Sequence, residues 1–84
     1  MILIMHHNAD GNSVPVAVVD DNATPAHVDK IIIESFDDWC LPPAGNYKLV
    51  RHENDSDFIH IEYEGGYVDY DGDGSFQLFE VSVK

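Results

Sequence analysis

The stretch TPAHVDKIIIESFDDW, residues 24–39, decides the fold. Thr24 is of a residue type that caps helices, and Pro25 follows at the first helical position, where a missing N–H costs least. Apolar side chains then recur at spacings of three and four up to Trp39, which predicts an amphipathic helix with one buried stripe. The segment LPPAG that follows, residues 41–45, ends this helix because proline disfavours a helical conformation in the residue before it.

Short β-branched or alternating segments on both sides of the helix predict strands. Residues 2–7 and 14–19 form an N-terminal hairpin, because the Asp10-Gly11 step between them favours a tight reversal. Pro15 cannot donate a hydrogen bond to a neighbouring strand, so the second strand is expected at an edge or with a bulge. Three further strands are predicted after the helix, at residues 47–52, 58–64 and 76–83.

This order of elements predicts an α+β domain in which the helix crosses one face of a mixed sheet of four or five strands. Residues 67–71 fit either a short extra strand or an irregular crossing. With 84 residues, 44% of them hydrophobic, the chain has room for one domain over residues 1–84 and one core. The predicted core consists of Val16, Val18, Val28, Ile32, Phe36 and Leu49.

Charge and cysteine content narrow the classes of function. Sixteen acidic and four basic residues give a net charge of −12, which nucleic acids and anionic membranes would repel. The expected partner is therefore a protein with a basic or apolar surface. Cys40 is the only cysteine, so no internal disulfide is possible and a cytoplasmic setting is expected. The apolar segment at residues 1–5 is too short to span a membrane and lacks the features of a signal peptide.

Several segments resemble ubiquitin. The strand VPVAVV at residues 14–19, the helix start NATPAHV at residues 22–28 and the strand YKLVR at residues 47–51 are similar to ubiquitin's second strand, helix and third strand. Near the end, SFQLFEV at residues 75–81 resembles its last strand, and the helix exit LPP at residues 41–43 is similar to that of ubiquitin-like modules in bacterial operons. The resemblance implies a β-grasp (ubiquitin-like) fold over nearly the whole chain.

The same resemblance implies recognition of proteins without catalysis. Ubiquitin binds partners through an apolar patch on its exposed sheet face, and residue matching puts Val50 near the centre of that patch, with Lys48, Arg51 and His52 beside it. Ubiquitin and its sulfur-carrier relatives act through a C-terminal Gly-Gly, whereas this sequence ends in VSVK. The resemblance therefore implies a non-catalytic adaptor or modifier-like module. No phosphate-binding loop, serine elbow or paired-carboxylate signature favours an enzyme.

The acidic segment DYDGDG at residues 69–74 is the sharpest motif in the sequence. Together with Glu80 it matches the spacing of an EF-hand loop, with Asp69, Asp71, Asp73 and Glu80 as candidate calcium ligands. An EF-hand needs flanking helices, whereas strands are predicted on both sides, so an acidic turn is favoured. We expect no cofactor, and only adventitious Ca²⁺ binding at about millimolar concentration. The five histidines show no zinc-site spacing, and Cys40 is expected to be a small buried residue.

Two other functions fit the composition. An acidic inhibitor could occupy the nucleic-acid groove of a basic protein, in the manner of the small phage anti-CRISPR proteins, whose size and charge the chain shares. The second of these functions is that of a calcium-binding module built on the acidic segment and Glu80. Carboxylates spaced like phosphates along one edge would favour the inhibitor, whereas an even distribution would favour the adaptor.

Overall fold

A computed structural model of the chain describes residues 1–39, 41, 46–68 and 73–82, with only the backbone of Trp39. The described residues form an α+β fold in which one helix packs on a five-stranded antiparallel sheet. In chain order the elements are β1 (Ile2–His7), β2 (Ser13–Val19), α1 (Pro25–Glu34), β3 (Tyr47–His52), β4 (Asp55–Tyr63) and β5 (Ser75–Glu80).

Most strand bounds agree with those predicted. β1 and β3 have the predicted limits, and β4 begins three residues earlier, at Asp55. β5 ends at Glu80, before the predicted limit of Val83, which lies outside the described residues. Of residues 67–71, where an extra strand or an irregular crossing was expected, Val68 makes an isolated bridge to Glu62, and residues 69–71 lie outside the described part.

The sheet has the strand order β2-β1-β5-β4-β3, and each neighbouring pair is antiparallel. The prediction of a mixed sheet is therefore wrong. Parallel neighbours need a crossover connection between them. The helical crossover here joins β2 to β3, which run in the same direction but lie at opposite edges. β1 and β5 are adjacent at the centre and run in opposite directions, with Ile2 opposite Glu80.

The edge strand β2 explains one error in the predicted core. Pro15 lies in this edge strand, as expected. The pairing of β2 with β1 slips by one residue at Val16, which is the extra residue of a β-bulge. The bulge reverses the alternation of side chains, so Val19 is buried whereas Val18 is 50% exposed. Val18 is therefore not part of the core, contrary to the prediction.

The helix is shorter than the apolar stripe indicated. Its N-cap is Thr24, whose hydroxyl accepts a hydrogen bond from the backbone N–H of His27 at 3.2 Å. After α1 the chain forms a separate 3₁₀ turn over Phe36–Trp39. Ser35 separates the two helical segments, and its hydroxyl donates to the carbonyl of Ile32 at 2.6 Å. Such bonds compete with the regular helical pattern. No helix of the described residues is long and apolar enough to cross a membrane.

The core lies between α1 and one face of the sheet. Its buried apolar residues come from four strands, α1 and the 3₁₀ turn: Ile4, Val19, Val28, Ile32, Phe36, Ile59, Ile61 and Phe76. This confirms the predicted positions Val28, Ile32 and Phe36. The predicted residues Val16 and Leu49 pack against the same cluster but are only partly buried.

The helix offers a test of this packing. Ile32 is fully buried, whereas its neighbour Ile33 is 42% exposed. We expect Ile32→Ala to lower the free energy of unfolding by ~2–5 kcal/mol, because it leaves a cavity in the core. Ile33→Ala removes the same atoms from the surface and is expected to lower the free energy of unfolding by less than about 1 kcal/mol. Urea denaturation measures both, and equal losses would contradict the buried face assigned to α1.

Candidate binding face of the sheet

The helix covers one face of the sheet, and the alternate side chains of the strands point to the other face. Ile4, Ile59, Ile61 and Phe76 point toward the helix side and are buried in the core. Their neighbours along each strand therefore point away from it. We call this second surface the open face; its side chains include Leu3, Met5, His7, Pro15, Val18, Lys48, Val50, Phe58, His60, Glu62, Ser75, Gln77 and Phe79.

The strand register aligns the open face into rows. The first row consists of Val18, Leu3 and Phe79 on β2, β1 and β5. The second row runs Pro15, Met5, Gln77 and Phe58, and the third runs His7, Ser75, His60 and Val50. Phe79 is 39% exposed, and Leu3, Met5, Val50 and Phe58 are half-buried. Apolar side chains thus extend across all five strands of the sheet.

The polar side chains on this face are bound to one another. One ring nitrogen of His7 lies 2.6 Å from the Ser13 hydroxyl, and the other lies 2.8 Å from the Gln77 amide oxygen. His60, only 5% exposed, has its Nδ1 atom 3.2 Å from the Ser75 hydroxyl. These bonds cross between strands and fix the rings in place, so polar atoms of the rows are satisfied within the protein.

Two of the residues predicted for protein binding lie on the open face. Val50 is half-buried and pairs across the strands with His60. Lys48 is 70% exposed, and its amino group lies 3.4 Å from the Glu62 carboxylate on the adjacent strand. A third predicted residue, His52, is exposed where the open face meets the β3–β4 hairpin, and its ring stands 6.2 Å from that of His60.

The fourth predicted residue, Arg51, lies on the helix side of the sheet. Its guanidinium binds both carboxylate oxygens of Asp29 on α1, at 2.8 and 3.4 Å. Both side chains are only 29% exposed. This bidentate pair holds β3 against the helix. The structure therefore does not bring Arg51 together with Val50, because successive residues of a strand point to opposite faces.

Carboxylates gather at one end of the sheet. Asp21, Asp57 and Glu80 line a shallow cavity of about 270 Å³, together with Ile2, Leu78 and Phe79. The β3–β4 hairpin turns at the same end and adds Glu53 and Asp55. We call these five residues, Asp21, Glu53, Asp55, Asp57 and Glu80, the acidic end. Asp21 also binds the N-terminal amino group at 2.6 Å.

The candidate calcium ligands are not gathered in the described part of the chain. Asp69 and Asp71, like Cys40, lie outside the described residues. The carboxylate of Asp73 accepts a hydrogen bond from the backbone N–H of Ala9 at 2.8 Å, and its carbonyl accepts one from the His6 ring. β5 then carries the chain roughly 16 Å from Ser75 to Glu80, at about 3.3 Å per residue. Within the described residues, no group of three candidate ligands could hold a metal ion.

Sequence reasoning missed most of the open face. The signal was present in β1, where apolar residues are continuous from Ile2 to Met5. A strand that is apolar on both faces is typical of the centre of a sheet with a second apolar surface. Leu3 and Met5 could have been found in this way.

No family model matches the chain, and neither a curated protein nor a solved structure matches it. The interpretation of the open face therefore depends on its own geometry and chemistry.

The acidic segment gives a second test. Calorimetric titration with calcium chloride is expected to show no binding tighter than about millimolar, because β5 keeps Glu80 far from Asp73 and an EF-hand site needs both ends of its loop. A submicromolar dissociation constant that is lost in the Asp71→Ala variant would contradict this expectation.

Proposed function

We propose that the chain is a non-catalytic protein-binding module, an adaptor or modifier-like protein, that contacts its partner through the open face. The observation that carries the proposal is the set of partly exposed apolar side chains, at least one on each of the five strands, on the sheet face away from the helix. Single exposed apolar residues are common on protein surfaces and carry little information. Apolar side chains on five adjacent strands of one face are different, because clustered apolar surface marks interaction sites.

Burial of apolar surface would supply most of the affinity. Removing apolar area from water contributes roughly 25 cal/mol per Å² before the costs of association are subtracted. Val50 and Phe58 are half-buried and Phe79 is 39% exposed, so each has surface left to bury. His60, held by Ser75 and flanked by Val50, gives this part of the face a fixed shape.

The charge of the chain supports a basic partner. A net charge of −12 attracts positively charged surfaces and speeds their encounter with the protein. The acidic end adjoins the row that contains Phe79, because Phe79 and Glu80 line the same cavity; Glu80, as the next residue of β5, points to the helix side of the sheet. A partner with an apolar centre and a basic margin would therefore match both features.

The ubiquitin-like β-grasp is the finer fold assignment within this proposal. It is supported by the single helix across one face and by the central position of the first and last strands. The antiparallel β1–β5 pair departs from the mixed sheet that was expected. The proposed contact does not depend on this assignment, since the open face is a property of the observed register. The single cysteine supports a cytoplasmic setting for such a module.

The acidic end favours a second candidate function. Asp21, Asp57 and Glu80 line one cavity, so these three carboxylates are clustered at one end of the sheet. Such a concentration is the feature expected of an acidic inhibitor that replaces nucleic acid on a basic protein. The two candidates differ in the surface that supplies the affinity: apolar rows in the first and carboxylates in the second.

Substitution of Val50 tests the leading proposal. Val50→Asp is expected to weaken partner binding at least about tenfold, because it places a charge in the surface that the partner would bury. Ile33→Asp is the matched control, since Ile33 is an exposed apolar residue on α1, outside the open face. The immobilised protein is used to identify partners by mass spectrometry, and binding of each purified partner is then measured with both variants. Thermal denaturation shows whether each variant is folded.

A third variant separates the two candidates. Asp57→Asn combined with Glu80→Gln removes two charges from the acidic end. In the leading proposal this change mainly lowers the association rate and its salt dependence. If this variant abolishes binding while Val50→Asp leaves it unchanged, the inhibitor is the better explanation.

A further inference from the structure

A small aromatic pocket lies where the open face meets the acidic end. Its walls are His52, Asn54, Asp55, Phe58 and His60, and it encloses about 300 Å³. The rings of Phe58 and His60 are nearly parallel, with centroids 6.5 Å apart and planes at 7°. The His52 ring meets that of His60 edge-on at 6.2 Å. The volume is at the lower limit for small-ligand sites, which fits one side chain better than a larger molecule.

The walls of the pocket are held in place by neighbouring groups. The backbone N–H of Asn54 donates to Nδ1 of His52 at 3.2 Å, which orients the His52 ring. His60 is 95% buried by its surroundings, at 5% exposure, and its Nδ1 atom lies 3.2 Å from the Ser75 hydroxyl. The pocket is therefore formed before any ligand arrives, which lowers the cost of ordering it on binding.

An acidic residue is among those that line the pocket. Asp55 lines the pocket, and one of its oxygens accepts a hydrogen bond from the backbone N–H of Asp57 at 3.0 Å. Glu53 and Asp57, both exposed, flank it in the sequence of the same hairpin. An aliphatic occupant would gain from the rings but not from this charge. A cation with a planar group gains from both, because it can stack on a ring and bind a carboxylate.

We propose that this pocket receives an arginine side chain of the protein partner. The guanidinium group is planar, stacks on aromatic rings and binds carboxylates through paired donors, whereas the lysine ammonium is more strongly hydrated. The arginine would lie on the same face as Val50, which pairs with His60, and so would anchor the basic margin of the partner to the open face. The inference deepens the proposed function and rests on it for the identity of the partner as a protein.

The pocket can be tested without the partner. The probe is the peptide acetyl-Gly-Arg-Gly-amide, titrated into the ¹⁵N-labelled full chain while backbone amide shifts are followed by NMR. We expect saturable shifts at Asn54 and Asp55. The same peptide with citrulline, which keeps the shape but lacks the charge, is expected to bind at least about fivefold more weakly, since charge-assisted hydrogen bonds are the stronger ones. The lysine peptide is expected to lie between them.

A matched pair of variants assigns the effect to the pocket. Asp55→Asn keeps a side-chain oxygen that can accept the hydrogen bond from the backbone N–H of Asp57 but removes the charge. It is expected to weaken binding of the arginine peptide at least about fivefold. Asp10→Asn removes an equal charge from the exposed turn at the other end of the sheet and is expected to change binding less than about twofold, because distant exposed charges are screened. Equal losses in the two variants, equal binding of the citrulline peptide, or shifts confined to other residues would overturn the inference.

Failure of the arginine pocket and failure of the open-face proposal would give different experimental results. If the arginine peptide does not bind at the pocket but Val50→Asp still abolishes partner binding, the open-face proposal stands and the arginine pocket is wrong. If the arginine peptide binds as expected but Val50→Asp leaves partner binding intact, the pocket stands and the open face is not the contact surface.

Discussion

A single ten-residue helix must bury the apolar surface of a five-stranded sheet, and it can do so on one face only. The helix is about 15 Å long at 1.5 Å per residue. Five strands spaced about 4.8 Å apart make a sheet roughly 19 Å wide between its outer strands. Ile4, Ile59 and Phe76 are fully buried under the helix, whereas Leu3 and Phe58, on the opposite face, remain partly exposed. The division between core and open face follows from this single layer of helix.

The antiparallel centre of the sheet explains why acidic residues gather at one end. β5 runs opposite to β1, which puts Glu80 beside Ile2 and near Asp21, the second residue after β2. The β3–β4 hairpin turns at that same end and contributes Asp55. If β5 ran parallel to β1, Glu80 would lie beside the end of β1 at His7, away from Asp21, Asp55 and Asp57. The direction of one strand therefore decides whether Glu80 belongs to the acidic end.

Local sequence signals predicted the elements better than their arrangement. The cap at Thr24 and the stripe of Val28, Ile32 and Phe36 were readable because each depends on neighbours within one or two helical turns. The direction of β5 could not be predicted from the sequence, since the alternation of side chains between the two faces is the same whichever way a strand runs in the sheet. The candidate site was found in part: resemblance to ubiquitin indicated Val50, but the aromatic pocket requires Phe58 of β4 next to the hairpin end of β3, which only the register reveals.

The charge distribution also bears on what can cover the open face. A second copy placed face to face with aligned strands would bring the two acidic ends to the same end of the pair. Turning that copy around would place its acidic end near Glu62 and Glu64 at the other end of the first sheet. Both arrangements face like charges with like charges, and salt screens their repulsion only over distances longer than a Debye length of about 8 Å at physiological ionic strength. Repulsion therefore opposes self-association in either orientation, and the same charges would favour the basic partner proposed for the open face.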